Sequence, residues 1–293
     1  MKEHCTCRLS DGATIGFALY GDANGVPLLF NHGWPGSRLQ GRILHEPALQ
    51  LGVKVIAPER PGIGLSSPRS PFSLTSWAYC VRGLTSALGL KRSYLLGVSG
   101  GSPYTLASAA KDPERFISAG ICCGAPPLGD DPERQRRLHW MYRFLIHIDQ
   151  RAPVLSVPLM NLTRAAILGL PESIWMRALS ACMPRPDRQA LRHAQNRRIM
   201  AFSVQEAYRN GSSPLVQDGR RILSSWGFPV ESIPLAVHFW HGLRDRNIPR
   251  ESIRALVGRI PKSVEHVCDE DGHYSLPLMR TREILHSLLT SGE

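Results

Sequence analysis

Residues 95–103 read Leu-Leu-Gly-Val-Ser-Gly-Gly-Ser-Pro, and the fold turns on whether Ser99 at their centre is a nucleophile or a polar residue in a glycine turn. The run over 93–98 has strand character and ends at Ser99, and helical periodicity begins just beyond it. A serine held between strand and helix occupies a strained turn whose flanking positions must be small, and Gly97 and Gly101 meet that need. Pro103 suits the first turn of a helix, where its missing N–H has no partner to lose. In such a turn the hydroxyl projects above a sheet and the N–H of Gly100 points toward a reacting carbonyl oxygen.

Outward from this turn, short apolar runs bounded by turn residues cover 26–30, 53–57, 117–122, 235–240 and 264–267, and each is expected to be a strand. An alternating stretch over 8–20, broken by Ser10-Asp11-Gly12, predicts an opening hairpin. Helical periodicity over 74–88, 103–110, 251–257 and 282–289 separates the strands. Strands alternating with helices predict an α/β fold, a mostly parallel sheet with helices on both faces. The alternation stops over 127–229, where helical pattern recurs over 132–148, 159–170, 173–181 and 187–208 with proline interruptions. The expected organisation is therefore a core of residues 1–126 and 230–293 with a helical insertion, 127–229, as a cap.

Chemistry-bearing residues gather at the strand ends. Asn31-His32-Gly33-Trp34-Pro35-Gly36 follows the first inner strand, with the Trp34 N–H as the natural second donor to an oxyanion and His32 as a structural residue. Arg60-Pro61-Gly62 makes another tight turn at the same sheet edge, where ligands of open α/β sheets bind. A serine nucleophile needs a base, and the base needs an orienting acid. After the run over 235–240 comes Asp245, and after the last strand comes Asp269-Glu270-Asp271-Gly272-His273. His273 is the expected base and Asp245 its acid, with Asp269 and Asp271 as alternative acids within reach of the same loop. His238, His241 and His266 at or near strand ends are expected to be structural.

The order Ser99, Asp245, His273, with His32-Gly33, the 97–101 turn, 242–249 and Gly272-His273, resembles the α/β-hydrolase fold superfamily over nearly the whole chain. The resemblance implies an eight-stranded sheet, a helical cap over the site and chemistry with no cofactor and no metal. It implies Ser99 as nucleophile, His273 as general base, Asp245 as orienting acid, and the N–H groups of Gly100 and Trp34 as oxyanion hole. Epoxide hydrolases and haloalkane dehalogenases of this superfamily carry aspartate where Ser99 stands, and proline iminopeptidases carry Trp-Gly after the nucleophile where this chain has Gly100-Gly101. Both readings are disfavoured. The expected activity is cofactor-independent hydrolysis of an ester, lactone or thioester of a fairly apolar small molecule through an acyl-enzyme. The rival readings are carbon–carbon cleavage, a lyase or a cyclase step on the same residues, and a ligand receptor built on the same fold.

Composition narrows the rest. The chain of 293 residues is 43% hydrophobic and 20% charged, which suits a globular protein and excludes disorder and coiled coil. No apolar run is long enough to span a membrane, and the first residues lack a signal-peptide pattern, so a cytoplasmic location is expected. Seven cysteines in a chain this long point to reduced thiols. The spacing of Cys5 and Cys7 is too short for a zinc clip. A formal charge of +11 invites a nucleic-acid reading, but arginine is spread along the chain and no nucleic-acid motif accompanies it. The insertion holds 15 arginines, no lysine and 8 acids. The expected partner is a small-molecule substrate, without nucleic acid.

Overall fold

Apolar runs that alternate with amphipathic segments close into one sheet flanked by helices. The computed structural model describes residues 1–128 and 132–291. The strands are β1 Lys2–Arg8, β2 Thr14–Gly21, β3 Val26–Asn31, β4 Val53–Pro58, β5 Ser93–Val98, β6 Phe116–Cys122, β7 Val237–Gly242 and β8 Ser263–Cys268. The helices of the first half are α1 His45–Gln50, α2 Leu74–Ala87 and α3 Ser102–Lys111. Between β6 and β7 lie α4 Pro132–Arg137, α5 Trp140–Arg151, α6 Ser156–Gly169, α7 Glu172–Ala181, α8 Arg185–Arg192, α9 Ala194–Ala207 and α10 Ser213–Leu223. The chain closes with α11 Arg250–Val257, α12 Ser275–Met279 and α13 Thr281–Thr290.

The eight strands run in the order β1-β2-β4-β3-β5-β6-β7-β8. β2 pairs antiparallel with β1 and β4, and every later pair is parallel. The eight-stranded, mostly parallel sheet with helices around it is the architecture expected from the sequence. β5 is buried at every position, as a central parallel strand must be when both its faces are covered. β1 alternates between exposed and half-buried, as an edge hairpin should. Successive side chains of β3 feed opposite cores: Leu28 and Phe30 pack on one face, Leu29 on the other. α2 starts at Ser73, whose hydroxyl accepts from the Ser76 N–H at 3.1 Å in a reciprocal cap.

Element ends differ from expectation in physically informative ways. The opening hairpin begins at Lys2 because β1 pairs back to Leu19. The stretch over 132–148 is two helices, because His139 leaves helical geometry and its ring accepts the Met141 N–H at 3.4 Å. The stretch over 187–208 likewise breaks at His193, an extended residue between α8 and α9. The run over 235–240 yields a strand only from Val237. Among the described residues no helix is long and apolar enough to cross a membrane.

Among the described residues, buried polar links join the helices between β6 and β7 to the sheet, and three of them involve buried charges. Arg38, fully buried, bonds Glu59 after β4 and Glu206 of α9, both at 2.6 Å. Arg60 bonds both carboxylate oxygens of Asp218 on α10, at 3.0 and 2.9 Å. Asp187 of α8 caps the loop that follows β8. A buried charge costs several kcal/mol unless paired, so these pairs fix where the helices sit.

Candidate active site

Ser99 directly follows β5 with a φ of 50°, in the left-handed region. A non-glycine residue there costs about 1–3 kcal/mol, which the surrounding structure must offset. A Cβ at Gly97 would lie 2.4 Å from Thr105 Oγ1, and one at Gly101 would lie 2.1 Å from the Asn31 carbonyl oxygen. Only glycine fits at either place. The Ser102 hydroxyl and the Ala125 N–H both donate to the Ser99 carbonyl, at 2.7 and 3.1 Å, and hold the turn.

The loops after β7 and β8 bring the other two expected residues to this turn. His273 Nε2 lies 3.0 Å from Ser99 Oγ, and His273 Nδ1 lies 2.8 Å from Asp245 Oδ2. The second carboxylate oxygen, Oδ1, accepts the N–H groups of Asn247 and Ile248 at 2.8 and 2.9 Å, which fixes the acid in place. The alternative acids do not reach: Asp269 is exposed, and Asp271 is held by Arg280 at 2.9 Å. With its Nδ1–H donating to a carboxylate, the imidazole presents Nε2 as an acceptor to the serine hydroxyl.

Electrostatics follow from burial and charge. Burial draws the His273 pKa down, but the charge and hydrogen bond of Asp245, with the Asp187 charge behind them, outweigh it and leave it above the ordinary imidazole value. Burial pushes Asp245 up, yet the His273 charge and hydrogen bond, with His241 adding to them, leave it below the usual carboxylate range. His241 itself bonds the Ile248 carbonyl at 2.9 Å and buttresses the acid loop. His238 and His266 meet at 3.0 Å and stack on Trp240, away from Ser99.

Asp187 was not singled out in the sequence. Its carboxylate, 1% exposed, accepts three consecutive N–H groups, from His273 at 3.1 Å, Tyr274 at 3.0 Å and Ser275 at 2.8 Å. A Cβ at Gly272 would lie 2.5 Å from this carboxylate, so the glycine before His273 makes room for it. The only signal in the sequence was an aspartate in the first turn of a helix, a commonplace position.

The two expected oxyanion donors lie side by side: a Cβ on Gly100 would be 3.2 Å from the Trp34 backbone nitrogen. Arg60 holds the loop that carries Trp34, donating to the His32 and Gly33 carbonyls at 2.6 and 3.0 Å. His32 is fully buried and its Nδ1 meets the Gly33 carbonyl at 2.9 Å, with burial and the Arg60 charge holding the ring neutral. The Trp34 indole N–H donates to the Leu215 carbonyl of α10 at 2.9 Å. Its ring packs on Gly219, where a Cβ would lie 3.2 Å away.

A cavity of about 500 Å³ opens from Ser99 and His273 beneath α5, α6, α7 and α9. Trp140, Phe144, Ile167, Trp175, Met176 and Met200 give it apolar walls. Among the described residues, Cys123, Asp245 and His273 also form a cluster of metal-type donors. Both Asp245 oxygens are already engaged, and burial holds the Cys123 thiol protonated, so this cluster reads as an acid–base pair beside a neutral thiol.

Comparison with known proteins agrees with this fold. The family described as alpha/beta hydrolase fold matches residues 26–156. A non-heme chloroperoxidase of Streptomyces lividans is 33% identical over 125 residues, 42% of this chain and 45% of that relative, so the match spans less than half of the relative's length. Among solved structures, an esterase from a Rhodococcus species superposes with a TM-score of 0.71 at 17% identity, covering 99% of this chain and all of that one (100%). An enol-lactonase from Burkholderia xenovorans superposes with a TM-score of 0.68 at 14% identity, covering 98% of this chain and 100% of that one. At such identities the likeness is one of fold.

Proposed function

We propose, from the premise that the chain belongs to the α/β-hydrolase fold superfamily, that it is a cofactor-independent serine hydrolase of esters, lactones or thioesters of apolar small molecules. The observation that carries the reading is the unbroken hydrogen-bonded line from Ser99 Oγ through His273 to Asp245, at 3.0 and 2.8 Å. Ser99 Oγ attacks the carbonyl carbon while His273 Nε2 takes its proton. The developing oxyanion is met by the N–H groups of Gly100 and Trp34. His273 returns the proton to the leaving oxygen, or to the leaving sulfur of a thioester, and a water activated by the same nitrogen releases the acyl group. The helices of 127–229 act as a cap that keeps water from the chamber and shapes it. The esterase and the enol-lactonase among the structural neighbours support carbonyl substrates of this class.

The test is intact mass after exposure to a small fluorophosphonate. One adduct is expected on the wild type, none on Ser99→Ala and slow labelling on His273→Ala. A folded wild type that takes no label overturns the proposal.

A further inference from the structure

Ser99 lies on the boundary of two cavities, and His273 faces only one of them. The chamber of about 500 Å³ includes His273 in its lining. A slot of about 50 Å³, bounded by Gly100, Ala125, Leu138, Ile222 and Ile248, does not. Trp34, Ser99 and Tyr142 line both and form the boundary. The far wall of the slot is Leu128, Gly219 and Leu223, which with Trp34 also border a separate cavity of about 440 Å³.

The chemistry fixes which half of an ester goes where. When Ser99 Oγ has bonded to the carbonyl carbon, that carbon carries Oγ, the oxyanion, the leaving oxygen and the acyl chain. The C–O bond to the leaving oxygen then breaks, and the proton taken from Oγ passes from His273 Nε2 to that oxygen. The leaving alcohol must therefore lie on the His273 side, and the acyl chain on the other. We infer that the substrate is an ester of a short acyl group, acetyl or propionyl, with a bulky apolar alcohol. The alcohol fills the chamber and the acyl chain fills the slot. By this measure a single water needs about 10–15 Å³, so the slot takes only a few atoms. Water then adds to the acyl carbon, its proton returns through His273 to Ser99 Oγ, and the short acid leaves. The inference rests on the serine-hydrolase reading and narrows it.

Citronellyl acetate and methyl citronellate exchange the two ends of an ester around one hydrocarbon, and with citronellyl hexanoate they test both halves. The expected kcat/KM for the acetate exceeds that for each of the other two by at least about tenfold, the scale on which a pocket resolves added methylenes. Leu223→Ala, which removes part of the far wall, is expected to raise the hexanoate-to-acetate ratio by about tenfold. A preference for methyl citronellate, or equal rates for acetate and hexanoate, overturns the assignment, and the wild-type series decides it even if the variant does not fold. Fluorophosphonate labelling separates the two layers. If Ser99 is labelled and none of the esters is cleaved, the substrate class falls while the hydrolase reading stands; if Ser99 is not labelled, the hydrolase reading falls with it.

Discussion

Asp187 lies 86 residues from His273 in the chain, on a helix outside the sheet, yet it holds the backbone of that histidine. Its negative charge also favours the imidazolium form, adding to the effect of Asp245. In the proposed mechanism His273 must be neutral to take the serine proton, and its pKa is raised, so ester turnover is expected to rise with pH through a limb above the ordinary imidazole value. Asp187→Asn keeps one acceptor oxygen but loses the charge and one of the three bonds. A pH profile of kcat/KM for this variant should show the acid limb moved to lower pH, with kcat down by about tenfold at the plateau. An unmoved limb would limit Asp187 to a structural part. Ser99, His273 and Asp245 were legible because each sits beside a glycine turn at a strand end, a local signature. Asp187 was not, since its role depends on where a distant helix packs.

The same division runs through the elements. The inner strands β3 to β8 and the helices α2, α3, α11 and α13 could be read to within a residue or two, because their apolar periods are imposed locally by the two faces of the sheet, whereas the edge strand β1 and the short helices α1 and α12 went unread. Helix boundaries inside 127–229 were blurred because breaks at His139 and His193 are made by cap geometry rather than by Gly or Pro. α10 escaped the sequence reading as a distinct element, although it carries the Trp34 contacts at Leu215 and Gly219 and the Arg60 partner Asp218. Asp218→Ala would leave Arg60 buried without its partner, and the loss of such a pair costs about 3–5 kcal/mol. Thermal denaturation should show a clear fall in Tm. Activity should fall further than unfolding explains, since Arg60 also holds the His32 and Gly33 carbonyls.

At the scale of the molecule, the question is whether 127–229 is a hinged attachment or part of one cooperative body. Arg38, Arg60 and Asp187 each join a different helix of this segment to the sheet through buried polar groups. Denaturant unfolding is therefore expected to show one transition, with tryptophan fluorescence and far-ultraviolet circular dichroism coincident. Two separated transitions would make the segment an independent unit. Trp34 gives a last consequence. Trp34 lines each of the three cavities described above, while the part proposed for catalysis is its backbone N–H, which any amino acid except proline supplies. If that proposal holds, a change of side chain at position 34 reshapes the cavities while leaving the donor in place, so one chemistry can be kept as the accepted substrates change.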